Sequence, residues 1–165
     1  MFQSFFPQPK YFFSSLAVWS GFLILVWYSF GKTIGETLGF DLTETETVIG
    51  LGHFVTSEFL WFDIFFAFGA LVFFFVWRSR SPHEWQIWSI LGSALLIYLS
   101  YASVQVSVVI NAWYGPFYND IQTALTGDGG ITASDLYGHF LVFCTIAFPY
   151  ILFIILNRFF TAHYI

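Results

Sequence analysis

The sequence predicts an all-α membrane protein with four transmembrane helices. Three observations predict it. First, 58% of the 165 residues are hydrophobic and only 9% are charged, where a soluble domain carries roughly 25% charged residues. That much apolar surface cannot be hidden in one small core, so its solvent must be lipid. Second, four apolar runs are long enough to cross a bilayer: Tyr11–Phe30, Leu60–Trp77, Gln86–Asn111 and Phe140–Phe160. A crossing needs roughly 20 residues at about 1.5 Å each. Third, the few cations sort to one side of those runs.

The first run is longer than the roughly 7–15-residue apolar core of a signal peptide, and no small-x-small cleavage site follows Phe30. It reads as a retained helix. Residues 31–59 then form an outside loop, acidic and Thr-rich, in which Thr43-Glu44-Thr45-Glu46 caps a short helix running into Val48–Leu51. The second run carries Asp63 near its start and ends at a short inside turn, where Ser81-Pro82 breaks the helix. The third run is about 39 Å long as a helix, so it should tilt or extend beyond the hydrocarbon. It closes on Asn111-Ala112-Trp113-Tyr114-Gly115-Pro116-Phe117-Tyr118, an aromatic and helix-breaking exit. Residues 114–139 form the second outside loop, with Gly127-Asp128-Gly129-Gly130 as its tip and Thr132 or Ser134 as N-cap of the last helix. Pro149 falls in the middle of the fourth run and should kink it. With no internal repeat and no separate soluble domain, residues 1–165 make a single transmembrane domain.

Orientation follows from the cations. If the chain crosses four times, Lys10, Arg78, Arg80 and Arg158 share one side and only Lys32 takes the other. The Lys/Arg bias places both termini in the cytoplasm. Trp19, Trp61, Trp77, Trp85, Trp88 and Trp113 mostly flank the runs, as interfacial anchors do.

Several function classes are disfavoured. A net charge of −5 without a basic cluster argues against nucleic acid as a partner. Cys144 is the one cysteine and reads as a small buried hydrophobe. His53, His83, His139 and His163 show no ligand spacing, so no metal is expected, and His83 reads as structural. No Ser/His/Asp or Cys/His constellation supports an enzyme, no cofactor is implied, and no P-loop supplies an ATP motor.

The third run is apolar but not uniformly so. From Trp85 to Asn119 it contains no Asp, Glu, Lys, Arg or His. Within it Gln86, Ser89, Ser93, Ser100, Ser103, Ser107 and Asn111 recur at steps of three, four or seven. On a helix these seven fall within a sector of about 100°. Such a stripe suits close helix packing, with bonds worth roughly 0.6–2 kcal/mol, or the wall of a hydrated transport path. Gln105 lies on another face and needs a partner, in another helix or a second subunit. Asp63 is the only acid inside an apolar run; solvation at the outer interface or a proton- or cation-handling role both fit it.

Several stretches resemble one family. They are Met1-Phe2-Gln3-Ser4-Phe5-Phe6-Pro7-Gln8-Pro9; Ser81-Pro82-His83-Glu84-Trp85-Gln86-Ile87-Trp88-Ser89-Ile90-Leu91-Gly92; Asn111 through Tyr118 and on through Ile121-Gln122-Thr123-Ala124-Leu125; and Asn157-Arg158-Phe159-Phe160 with His163-Tyr164. Dense in Trp, Tyr and Asn, they are similar to the SbmA/BacA family of bacterial inner-membrane peptide transporters. The resemblance implies a proton-driven importer of peptides, including antimicrobial peptides, that works as a homodimer. It implies a membrane fold similar to that of ABC exporters but without an ATPase domain. Family members are more than twice this length, so a fragment or a split subunit is expected, with the proton-coupling acids in the remainder. The membrane domain of an ATP-driven transporter with a separate ATPase, and a non-transporting assembly subunit, are the alternatives. The outside acids would steer cationic peptides or merely keep the loops soluble.

Overall fold

The computed structural model describes residues 8–43, 48–127 and 130–164, with side chains up to Ala162. Helix α1 is Pro9–Thr37, followed by a 3-10 turn at Leu51–Val55 and helix α2, Ser57–Arg80. A π-helical turn, Ile87–Gly92, runs directly into α3, Ser93–Thr126, and α4 is Ala133–Tyr164. No strand occurs among the described residues. Four helices, Pro9–Thr37, Ser57–Arg80, Ile87–Thr126 and Ala133–Ala162, are long and apolar enough to cross a membrane. The chain divides into two compact units, Met1–Glu44 with Ser57–Leu95 and Thr45–Thr56 with Leu96–Ile165.

The first unit is built on α1 and α2. Pro9 opens α1 at a position where a missing N–H costs nothing. Gly39 closes it at φ 95°, a left-handed conformation that favours glycine. The Gly39 N–H donates to the Glu36 carbonyl and the Phe40 N–H to the Gly35 carbonyl, each at 3.0 Å. Phe40 then packs against Trp61, ring centroids 5.6 Å apart.

Three tryptophans fasten the hairpin. The Trp19 indole N–H donates to the Gly69 carbonyl at 3.0 Å, that of Trp61 to the Gly31 carbonyl at 2.9 Å, and that of Trp77 to Ser15 Oγ at 3.1 Å. Rising positions on α1 meet falling positions on α2, so the helices are antiparallel. Both carbonyl acceptors are glycines, which let an indole approach a helix backbone that a Cβ would shield. In an apolar setting an indole N–H needs such an acceptor, and each bond is worth about 0.5–1.5 kcal/mol. Beyond Ser15 the core is Phe12, Phe73, Trp77 and Ile90, flanked by Trp19, Phe74 and Leu91. These tryptophans are therefore helix clamps: Trp61 and Trp77 are buried, while Trp85 and Trp88 stay exposed. The reading of most of them as interfacial anchors is corrected for Trp61 and Trp77.

The second unit packs α3 on α4 and the 3-10 turn. Its core is Val106, Val109, Trp113 and Ile146, surrounded by Phe54, Ile110, Phe117, Val142, Phe143 and Phe153. Phe54 comes from the 3-10 turn, so this part of the supposed outer loop is held against helices rather than loose.

Both expected outside loops are shorter than their sequence suggested. Helix α1 continues to Thr37 and α2 starts at Ser57, so the connection is not residues 31–59. Glu44, Thr45 and Glu46 of the proposed cap lie outside the described residues; the short helix begins at Leu51 rather than Val48, with no side-chain cap. Nor is residues 114–139 a loop. Helix α3 continues through Pro116 to Thr126, and Gly127, at φ 73°, ends it. Asp128 and Gly129 lie outside the described residues. A proline inside a helix costs about 3 kcal/mol. Contacts on both sides of Pro116 hold the helix against that cost. Trp113 stacks on Phe117 at 4.5 Å and Tyr114 on Tyr118 at 5.7 Å. The Trp113 indole N–H also donates to the His139 carbonyl of α4 at 2.9 Å. With its π-helical start the third helix has 40 residues, about 60 Å, far more than the hydrocarbon requires.

Helix α4 starts after Thr132, the first of the two expected caps. Asp135 Oδ2 accepts from the Thr132 backbone N–H at 2.8 Å and from its hydroxyl at 2.7 Å. This is the reciprocal half of a capping box. Helix α2 stops at Arg80, before Ser81-Pro82, as the restriction on a residue preceding proline requires. Pro149 is buried within an unbroken α4. Cys144 is exposed, not buried, because the α4 face that meets α3 is the one carrying Val142, Phe143 and Ile146.

Candidate functional site

The buried seam of α3 is Leu99, Ala102, Val106, Val109 and Trp113, at steps of three and four. Ser100, Ser107 and Asn111 lie about 120–160° round the helix from the centre of that seam and are exposed. Ser103 is half-buried at the edge of the seam, and Ser93, also half-buried, belongs to the first unit. Three of these hydroxyls are satisfied locally. Ser100 Oγ donates to the Leu96 carbonyl at 2.9 Å, Ser103 Oγ to Leu99 at 2.9 Å and Ser107 Oγ to Ser103 at 3.2 Å. Each oxygen keeps acceptor capacity that can point outward. The helix thus presents outward a polar strip bordered by exposed Ile97, Val104 and Val108, and packs against α4 through an apolar face.

The stripe does not continue as one surface. Gln86 and Ser89, at its start, are buried in the first unit, Gln86 completely. The Ser89 hydroxyl donates to the Gln86 carbonyl at 3.2 Å. Neither atom of the Gln86 side-chain amide has a hydrogen-bond partner. Gln86 precedes the π-helical turn Ile87–Gly92 and Ser89 lies within it, both in the first unit, whose core takes Ile90 from the same turn; Ser100, Ser107 and Asn111 belong to the second unit.

Gln105 finds its partner within the chain. Its Oε1 lies 3.1 Å from His53 Nε2. The bond joins the middle of α3 to the 3-10 turn. Residues 52 positions apart carry no local signal of it. His83 Nδ1 lies 3.3 Å from the Ser81 carbonyl, a role internal to its own turn. Asp63 is half-buried on α2 with Oδ1 shut off from solvent, so full solvation at an interface does not describe it. Arg158 is exposed near the end of α4.

Asp120 and His139 were not singled out as a pair by sequence reading. Asp120 Oδ2 lies 2.8 Å from His139 Nε2, both side chains being about three-quarters buried. Their meeting depends on α3 continuing past Pro116, which the proline argued against. Asp41, beyond the end of α1, has its carboxyl held below the usual value by the Thr43 hydroxyl and then the Thr43 backbone N–H. The described residues contain no group of three His, Cys, Asp or Glu side chains able to hold a metal.

Four helices of this length and apolarity make a multi-pass membrane protein. A family model described as the SbmA/BacA-like family matches residues 82–165. That match takes in the π-helical turn, all of α3 with its polar face, the Asp120–His139 contact and α4. It contains the Trp- and Asn-rich stretches on which the resemblance rests, apart from the N-terminal one, most of which lies outside the described residues. Spanning half the chain, and carrying the helices that present the polar face, it shows that this protein belongs to the SbmA/BacA-like family.

Proposed function

We propose that this chain lines part of a path by which peptides enter across the bacterial inner membrane, driven by the proton gradient. The observation that carries the reading is the polar face of α3. Ser100, Ser107 and Asn111 are exposed on the side away from the α3–α4 seam, with hydroxyls already bonded to their own backbone. Facing lipid such a strip gains nothing; facing water or a peptide backbone it offers acceptors and an amide. In this reading both termini are cytoplasmic, the helices belong to an ABC-exporter-like arrangement without an ATPase, and a second copy completes the path. Asp63 is the candidate proton or cation contact, and Pro149 the candidate flexing point of α4.

The test is uptake of a fluorescent cationic peptide by cells, with the Ser100→Leu, Ser107→Leu and Asn111→Leu changes combined. Uptake should fall about tenfold at unchanged membrane abundance, since each change removes an interaction of roughly 0.6–2 kcal/mol. Undiminished uptake would remove these residues from the path. ATP-dependent, ionophore-insensitive uptake would replace the proton by a separate ATPase. A reconstituted protein that moves no peptide under a pH gradient would make it an assembly subunit.

A further inference from the structure

We infer that Asp120 and His139 form a proton-operated clasp that fastens the end of α3 to the start of α4. Two turns of helix carry it. From α3, Trp113, Phe117 and Asp120 face His139. The Trp113 indole N–H holds its carbonyl at 2.9 Å, Phe117 lies edge-on to its ring at 6.0 Å, and Asp120 Oδ2 meets Nε2 at 2.8 Å. On its own helix, Asp135 stands one turn earlier, its Oδ2 engaged by Thr132. These two carboxylates are the charged groups facing His139 among the described residues.

The backbone bond from Trp113 is indifferent to pH and fixes where the imidazole stands. The side-chain bond is not indifferent. With a neutral ring, Nε2–H donates to a carboxylate as a single charge-assisted bond. Once the ring is protonated, the same contact becomes an ion pair, reinforced by Asp135. Acidification therefore tightens the hairpin. The connection it closes is short: α3 ends at Thr126 and α4 begins at Ala133. Thirteen residues of α3, 114–126, follow Trp113, roughly 20 Å of helix. Among the described residues the clasp is a polar contact that ties this end of α3 to α4. It operates regardless of what crosses the membrane, and an acidic medium on that side would hold the two helix ends together.

Hydrogen–deuterium exchange on the purified chain in lipid nanodiscs tests this, comparing proteins at equal pH so that intrinsic exchange cancels. Between about pH 8 and about pH 5.5, amides in 114–126 and 133–141 of the wild type should gain about two- to fivefold in protection over Asp120→Asn, the range for a partly exposed pair. His139→Gln, which retains a donor to Asp120 without titrating, should likewise lose the acid gain while matching the wild type near pH 8. Amides in 60–77 serve as the internal reference and should not change. An acid gain retained by either variant, or absent from the wild type, overturns the clasp.

Discussion

Gly35 offers the sharpest test of how α1 and α2 are joined. A Cβ placed there would stand 2.7 Å from Leu42 Cδ1, 2.9 Å from Trp61 Nε1 and 3.0 Å from Trp61 Cδ1. Leu42 can rotate away. Trp61 cannot do so freely, because its indole is bonded to the Gly31 carbonyl one turn back and packed against Trp27, Phe40 and Phe65. Overpacking of this kind costs about 1–3 kcal/mol. Alanine also gains about 0.8–1.0 kcal/mol of helix propensity over glycine, which obscures the clash in a single measurement. Gly21, in the same helix, removes that ambiguity: nothing lies within 4 Å of its Cβ position. Gly35→Ala should therefore be less stable than Gly21→Ala by about 1–3 kcal/mol, the propensity term cancelling. The assay is reversible SDS-induced unfolding in mild detergent, followed by far-ultraviolet circular dichroism so that altered indole surroundings do not distort the signal. Equal stabilities, within about 0.5 kcal/mol, would refute the close approach of Trp61 to α1 at Gly35.

Two further outcomes are expected. Gln86→Leu, which replaces a fully buried amide without hydrogen-bond partners by an apolar side chain of similar size, should leave stability unchanged or raise it by about 1–2 kcal/mol in the same unfolding assay; a loss above about 1 kcal/mol would mean that the amide is bonded in the folded protein. Thr43→Val should let the Asp41 carboxyl rise back towards its ordinary value, read from the side-chain carbon shift in an NMR titration. Because that carboxyl is lowered in the folded chain, its favourable contribution is present above the ordinary value of 3.8 and is lost as pH falls through the lowered one; an unchanged midpoint in the variant, which keeps the backbone N–H, would exclude the Thr43 hydroxyl as the main cause.

The four helices were legible because lipid imposes a simple rule. A segment that must satisfy its own backbone groups and face acyl chains shows this in composition and length alone. The stop at Arg80 and the start after Thr132 were legible for a similarly local reason, since proline restriction and N-capping act over three or four residues. The polar stripe was visible as periodicity, yet its division was not. Gln86 and Ser89 are buried in the first unit, at the π-helical turn, while Ser100, Ser107 and Asn111 are exposed in the second, and neither the turn nor the division into units leaves a mark in the hydrophobic pattern.

By itself, then, the sequence determined the medium, the number of spans and the family, each a matter of composition, length or a run of neighbouring residues. The tertiary structure decided what depends on contacts between distant positions. Trp113 and Phe117 carried α3 through Pro116 against its local preference. That continuation brought Asp120 to His139, and packing on α3 and α4 brought His53 to Gln105. Tryptophans that look like interfacial anchors became clamps because glycine carbonyls on the facing helix were open to them. A local preference of about 3 kcal/mol is no match for several such contacts acting together, and only the folded chain shows which contacts those are.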